Sequence, residues 1–333
     1  MTTQTFVLGV DLGGTKISVG AMRTDGVTDM AYRSEPTRAE EGADAVVARI
    51  ARMLEDAIDQ TMAETGARRN AFLGVGIGSP GPLDRAKGLV ITTPNLGWHD
   101  FPLRDRVSSA VQLPATLDND ANCATLGEWW VGAAKGGRNV LGMTIGTGIG
   151  GGLILDGRLY HGSSDAAGEV GHTSIDGNGR RCKCGNYGCL EAYASGPAIA
   201  ERAREELAGG EPSLMATLVH GDLAMLTAQQ VYEAAKLGDE VARLVVRETA
   251  RFIGTGVANL INIFNPDVVV LAGSVAQAGD DLFHPLRAEV QRRAFKPSVE
   301  ACRIVPGTLG GSAGVIGAVA TFLAQHDDHA VRS

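Results

Sequence analysis

The residues best equipped for chemistry lie in GEVGHTSIDGNGRRCKCGNYGCLEAYAS, residues 168–195, which places His172, Cys182, Cys184 and Cys189 among glycines and between Glu169 and Glu191. One imidazole and three thiolates form the closed tetrahedral set that zinc takes in a structural site. No coordination position is then left for water or substrate, so such an ion builds a site and takes no part in its reaction. Three cysteines this close can also form disulfides, or serve as small buried apolar side chains. The chain has five cysteines, and Cys123 and Cys302 are isolated. The odd count weighs against a disulfide framework. So does the opening MTTQTFVLGVD, which has neither the basic nor the long apolar segment of a secretory leader and points to a reducing, cytoplasmic setting. The C-x-C spacing of Cys182 and Cys184 is tighter than zinc ribbons commonly use.

A second set pairs carboxylates with glycine loops. The apolar run 6–10 ends at Asp11, and Gly13 and Gly14 turn the chain before Ile17, Val19 and Ala21 alternate with small residues. Glycine amides beside the Thr15 hydroxyl can receive a phosphate, and Asp11 can hold its hydrated magnesium. An ordinary hairpin turn uses the same residues. The stretch NVLGMTIGTGIGGGLILDG, residues 139–157, repeats that grammar: apolar strand, glycine loop with Thr147, apolar strand, acidic turn. Two such loops can grip a triphosphate from both sides, and their agreement favours the phosphate reading of the first.

Asp120 follows a strand over 114–117 and opens the helical run ANCATLGEWWVGAA. A carboxylate there can cap the helix, or act as a general base toward a hydroxyl while Asn119 fixes the same ligand. Positioning supplies most of the effect in phosphoryl transfer, so such a base needs no strongly raised pKa. Farther on, Gly273 and Ser274 follow the buried run VVVLA, where backbone amides can approach a nucleotide.

These groups need an α/β scaffold to hold them. A third strand is expected within 27–34, then a helix from Ala39 to Thr65 with Val46, Ile50, Leu54 and Ile58 on one stripe and Gly66 closing it. The strand that enters FLGVGIGSPGPLD ends in a glycine and proline loop suited to a polyhydroxylated ligand. Residues 88–103 read as mostly irregular, and Asn95 there as a turn residue. Helices are expected from Ala192 to Leu207, over 225–236 and over 239–262, with a polar break at 209–221. A terminal strand at 303–305 and a helix over 311–323 follow. That last helix is rich in glycine and alanine, so its neighbours must come close. The tail from 325 reads as polar and frayed.

With 333 residues, 44% of them hydrophobic and 20% charged, the chain can fill two domains. The expected division is 1–120 plus 308–333 against 121–307, the second carrying the cysteine loop. A net charge of −8 with no basic block leaves no arm for nucleic acid. No apolar run approaches the roughly 20 residues that span a bilayer, so no membrane partner is expected.

Taken together, DLGGTK at 11–16, GSPGPLD at 78–84, PNLGW at 94–98, DNDANC at 118–123, GTGIGGG at 146–152, GEVGH at 168–172 and CKCGNYGCLE at 182–191 make the chain resemble the ROK family of sugar kinases and sugar-responsive repressors, most closely its bacterial glucokinase branch. The likeness covers nearly the whole length. It implies a duplicated actin-like ATPase fold of the ribonuclease H-like class, with two domains around a cleft that holds nucleotide and sugar. It further implies ATP-dependent phosphorylation of glucose at the 6-hydroxyl, with Asp120 as the base. Gly81, Asn95, Asn119, Glu169, His172 and Glu191 would lie at the sugar. Asp11, Gly13, Gly14, Thr15, Lys16, Thr147 and Gly148 would surround phosphate and Mg2+, and His172, Cys182, Cys184 and Cys189 would hold structural zinc. His172 would then serve the metal through one ring nitrogen and a sugar hydroxyl through the other. The resemblance implies a homodimer, with a dimer of dimers as the larger alternative. AGSVAQAG at 272–279 departs from the glycine run the family often carries there, which bears on the adenine grip at Ser274. Another hexose (mannose, N-acetylglucosamine, N-acetylmannosamine or fructose) is the competing substrate reading. A sugar-sensing repressor should begin with a helix-turn-helix segment, whereas this chain enters its first strand within ten residues.

Overall fold

The computed structural model describes residues 4–26, 31–93 and 95–326. Strands β1 (Phe6–Leu12) and β2 (Lys16–Arg23) are buried at nearly every position, as strands covered on both faces must be. β3 (Arg33–Pro36) pairs antiparallel with β2. It overlaps only the end of the strand expected over 27–34, of which 27–30 lie outside the described residues. Helix α1 (Ala43–Thr65) buries Val46, Ile50, Leu54 and Ile58 and ends at Gly66, whose left-handed φ of 72° lets its N–H donate to the Met62 carbonyl.

β4 (Phe72–Ser79) leads to β5 (Leu83–Asp84), β6 (Leu89–Thr93) and β7 (Trp98–Phe101), and these last three form a small antiparallel sheet. This corrects the expectation of irregular chain over 88–103. Val90, Thr93 and Trp98 turn inward while Ile91 and His99 stay exposed, an alternation too short to stand out around Asn95 and Gly97. Then come α2 (Leu103–Val111), β8 (Ala115–Asn119) and α3 (Asp120–Trp130).

β9 (Val140–Ile145), β10 (Ile149–Leu155) and β11 (Arg158–Leu159) open the second half. The helix expected from Ala192 is two helices, α4 (Glu191–Ala194) and α5 (Gly196–Leu207), because Ser195 is extended and Pro197 starts a new first turn. The break at 209–221 contains α6 (Leu214–Leu218), where the Ser213 hydroxyl accepts the Met215 N–H. α7 (Ala228–Lys236), α8 (Glu240–Phe264) and β12 (Val268–Ala272) fall where the apolar patterns put them. α9 (Asp280–Arg293) and α10 (Lys296–Ala301) were not foreseen; α9 buries Leu282, Phe283, Leu286 and Val290 despite Pro285. β13 (Arg303–Pro306) and α11 (Ala313–His326) end the described chain, and 327–333 of the expected tail lie outside it.

The two larger sheets have the orders β3-β2-β1-β4-β8 and β11-β10-β9-β12-β13, the same permutation once each sheet's five strands are counted in chain order. In both, the fourth strand runs parallel to the first and the fifth parallel to the fourth. The sequence repeat is therefore a repeat of topology, the duplicated ribonuclease H-like arrangement of the actin-like ATPases. The chain forms two compact units, Met1–Arg138 with Gly152–Gly168 and Thr308–Ser333, and Asn139–Gly151 with Glu169–Gly307.

In the first unit α11 packs on β1, β4, β8 and α3 at backbone distance. A Cβ on Gly76 would lie 1.7 Å from the Ala318 carbonyl oxygen, and one on Gly317 would lie 1.5 Å from that of Cys123. The close approach expected of this helix is thus present, and glycine alone permits it. Buried Glu128 fastens α3 to the chain before α11, accepting hydrogen bonds from the N–H groups of Ala133 (2.9 Å), Thr308 (3.1 Å) and Leu309 (2.9 Å).

Candidate active site and metal centre

In the first unit the chemistry gathers at the ends of β1 and β8. The turn after Asp11 is closed by the Gly13 N–H donating to the Lys16 carbonyl (2.8 Å) and by the Thr37 hydroxyl donating to the Gly13 carbonyl (2.7 Å). Gly14 runs against Asn95: a Cβ there would lie 2.9 Å from the Asn95 Cβ. Asp11 itself abuts the first turn of α11, since a Cβ on Gly314 would sit 2.5 Å from its Cγ. Burial and then the nearby charge of Asp120 push the Asp11 carboxyl up to about 7, with Lys16 acting in the opposite direction. Two carboxylates that repel each other beside a lysine make a place where a hydrated cation relieves both.

At the end of β8, Asn119 and Asp120 both stand at the start of α3. Asn119 is the N-cap, its Oδ1 accepting the N–H groups of Ala121 (2.9 Å) and Asn122 (3.2 Å). Asp120 is the first residue of α3, and its Oδ1 also accepts the Ala121 N–H (2.8 Å). The two neighbouring side chains thus share that donor. Capping occupies the oxygen of Asn119 and leaves its Nδ2, 3.7 Å from where a Cβ on Gly81 would stand. Lys16 and Thr15 are exposed on the same turn as Gly13.

In the second unit His172, Cys182, Cys184 and Cys189 converge, their ligand atoms all within 4.8 Å of one another. Cys184 and Cys189 Sγ are 3.7 Å apart, and Cys182 Sγ is 3.8 Å from His172 Nδ1. Metal–sulfur arms of about 2.3 Å at a tetrahedral angle require a sulfur–sulfur edge of roughly 3.8 Å. The group can therefore hold a metal ion through Nδ1, which leaves Nε2 of His172 for another partner. The loop is shaped to this end: Cys182 N–H donates to the Asn186 carbonyl (2.8 Å), Gly185 N–H to that of Cys182 (3.0 Å), and Gly185 and Gly188 take φ of 96° and 74°. Burial raises the Cys182 thiol and pushes Cys189 up to about 12, while the Asn186 backbone holds exposed Cys184 below its usual value. Without a cation the two buried thiols keep their protons.

Glu191 starts α4 just beyond Cys189, and its Oε2 accepts the Ile149 N–H at 2.8 Å. Glu169 is exposed, and its carbonyl accepts the His172 N–H (3.1 Å). The second glycine loop is braced by Gly196 N–H donating to the Gly146 carbonyl (2.7 Å). Beside it opens a cavity of about 1150 Å³, lined by Thr147, Gly196, Leu226, Tyr232, Leu237 and Ser274 among others. Thr147 and Ser274 thus share one cavity. Gly148 faces Glu191 instead, and Gly273 (φ 93°) turns the chain so that Ser274 can reach the wall. Sequence reading missed the α7 wall, because Tyr232 and Leu237 look there like any helix residues packed inward.

The ROK family profile matches residues 7–325. The chain belongs to the ROK family. A glucokinase of Halalkalibacterium halodurans is 38% identical over 312 residues, covering 93% of this chain and 92% of that one. The Streptomyces griseus ROK family glucokinase, solved in complex with glucose and AMPPNP, superposes with a TM-score of 0.80 at 32% identity over 95% of this ROK chain and 98% of its own. The family's other kind is represented by a xylose repressor of Caldicellulosiruptor bescii, 34% identical over 83% of this chain and 69% of that protein. No helix among the described residues is long and apolar enough to cross a membrane.

Proposed function

We propose that this ROK protein is a glucokinase that transfers the γ-phosphoryl group of ATP to O6 of glucose, giving glucose 6-phosphate and ADP. The observation that carries this reading is the placement of Asp120 in the first turn of α3, next to Asn119 and charge-coupled to Asp11. Asp120 accepts the proton of the 6-hydroxyl as O6 bonds to the γ-phosphorus, and the bond to the β–γ bridging oxygen breaks with its electron pair leaving on ADP. Asn95 and Asn119, with Gly81 beside them, orient the sugar, and Glu169, Glu191 and Nε2 of His172 are further partners for its hydroxyls. Glycine-loop amides, with Gly13, Gly14, Thr15 and Lys16 in one loop and Thr147 and Gly148 in the other, stabilise the transferring group. Adenosine fits the 1150 Å³ cavity, with Ser274 in its wall.

Magnesium, when bound at Asp11, offsets phosphate charge. Zinc is the ion that suits the His172, Cys182, Cys184 and Cys189 set, and its role is to hold the sugar-facing loop in shape. The reading places the protein in the cytoplasm as a homodimer. The deciding experiment is Asp120→Asn assayed for glucose phosphorylation and for glucose binding. Binding should persist while turnover falls by orders of magnitude; near-normal turnover would remove Asp120 as the base. Turnover on mannose, fructose, N-acetylglucosamine and N-acetylmannosamine at matched concentration ranks the hexoses.

A further inference from the structure

Two residues before Asp120 stands a carboxylate that the mechanism above does not use. Asp118 is fully buried, yet three hydrogen-bonding groups and a guanidinium meet on it. Its Oδ1 accepts the Asn119 N–H (2.8 Å) and the Asn122 Nδ2 (3.0 Å). Its Oδ2 lies 2.8 Å from His161 Nε2 and 3.1 Å from Arg85 Nε. Burial pushes this carboxyl up, but the His161 hydrogen bond, with His161 and Arg85 charge and Asn122, overcomes it and holds the group below the usual carboxylate range. An ionised carboxylate only accepts, so the shared proton on the imidazole side belongs to Nε2.

These partners come from three separate stretches of chain. Arg85 follows the GSPGPLD loop that carries Gly81. Asn119 and Asn122 flank Asp120. His161 lies in the loop 161–168 that runs into Glu169. Asp165 of that loop binds Arg85 a second time, accepting its backbone N–H (3.2 Å) and facing its guanidinium (3.4 Å). Each stretch borders a residue assigned to the sugar.

We propose that Asp118 is a positioning residue for phosphoryl transfer, gathering these three stretches on one buried carboxylate so that Asp120 is held at the attacking hydroxyl. The inference rests on the kinase reading above. Chemistry makes the carboxylate hard to replace. An asparagine is neutral and offers one accepting oxygen, so its NH2 must face either the Asn119 and Asn122 donors or the Arg85 cation and His161. The first orientation pushes on the peptide next to Asp120 and the second releases the Arg85 stretch, and misplacement by about 1 Å costs on the order of 100-fold in rate.

The test compares wild type, Asp118→Asn, His161→Ala and the double variant for kcat, glucose KM and thermal unfolding. We expect kcat to fall about 100-fold in Asp118→Asn and about tenfold in His161→Ala, with glucose KM within about fivefold of wild type. The double variant should be no slower than Asp118→Asn alone, because His161 acts through Asp118. If Asp118→Asn does not fold, His161→Ala and its split of kcat from KM decides. A normal kcat in a folded Asp118→Asn, or losses that multiply in the double variant, overturn the proposal while leaving the kinase reading intact. A wild-type protein without kinase activity overturns both.

Discussion

The Glu191 carboxylate accepts the backbone N–H of Ile149 at 2.8 Å, which joins the end of the cysteine loop to the second glycine loop. Oε2 also stands 2.7 Å from where a Cβ on Gly148 would be, so the two segments are in close contact. A residue assigned to the sugar therefore also braces a loop assigned to phosphate. Glu191→Ala leaves the buried Ile149 N–H without its acceptor, at a cost of about 1–3 kcal/mol. We expect it to weaken binding of a non-hydrolysable ATP analogue about tenfold as well as binding of glucose. Glu191→Gln keeps an accepting oxygen and should lose less than about threefold for the nucleotide. Calorimetric titration checks both, and a Glu191→Ala protein with wild-type nucleotide affinity would refute the link.

Removal of the metal should be felt at the sugar. Cys184 is exposed and its sulfur faces Cys189, so Cys184→Ser opens the donor set without disturbing the core. We expect metal content to fall below one ion per chain, the melting temperature to drop and glucose affinity to fall with it, because His172 and Glu191 sit on the same loop. The raised thiols of Cys182 and Cys189 add a sign: a metal must displace their protons, so its affinity should decline as pH falls. Unaltered glucose affinity in metal-free Cys184→Ser would break the connection.

Stability should be most sensitive where backbone meets backbone under α11. Gly317→Ala would press a methyl to within 1.5 Å of the Cys123 carbonyl oxygen. Relief requires α11 and α3 to separate, and a loss of about 3 kcal/mol or more in urea unfolding is expected. Gly177→Ala is the control: nothing stands within 4 Å of its added methyl, and it should be within about 0.5 kcal/mol of wild type. Equal unfolding midpoints for the two variants would contradict the packing argument.

Local information was enough for part of this site. The donor types in 172–189 announced a tetrahedral set because all four ligands belong to one loop. Asp11 and Asp120 stood out because each ends an apolar strand beside glycine or a helix start. The duplicated topology showed as two strand and glycine-loop stretches with one grammar. That Asn119 is the N-cap of α3 was not legible, because its oxygen and that of Asp120 are neighbours that both reach the Ala121 N–H. The cluster at Asp118 was invisible for a different reason. His161 is 43 residues away and Arg85 comes from a separate loop, so no spacing links them; folding alone brings them to one carboxylate. Likewise α9 hides because Pro285 interrupts its pattern, while Leu282, Phe283, Leu286 and Val290 still define its buried face.

Asp11 gives the pH dependence a definite sign. Its carboxyl is pushed from 3.8 up to about 7, first by burial and then by Asp120. Between those values the folded protein keeps a proton that the unfolded chain has lost. Stability of the magnesium-free protein from this group must then fall as pH rises from about 4 to about 7. Asp11→Asn cannot ionise and removes that component, so its melting temperature relative to wild type should climb from pH 5 to pH 7.5. Magnesium acts on the same charge. It should raise the wild-type melting temperature more at pH 7.5, where the carboxylate is formed, than at pH 5, where binding must first displace the proton, and should do little for Asp11→Asn. The measurement is thermal unfolding in magnesium-free buffer without a chelator, so that a metal held by the thiols is not stripped, followed by magnesium addition. Parallel pH profiles for the two proteins would mean that Asp11 is ionised throughout, and the case for a cation between Asp11 and Asp120 would lose its electrostatic basis.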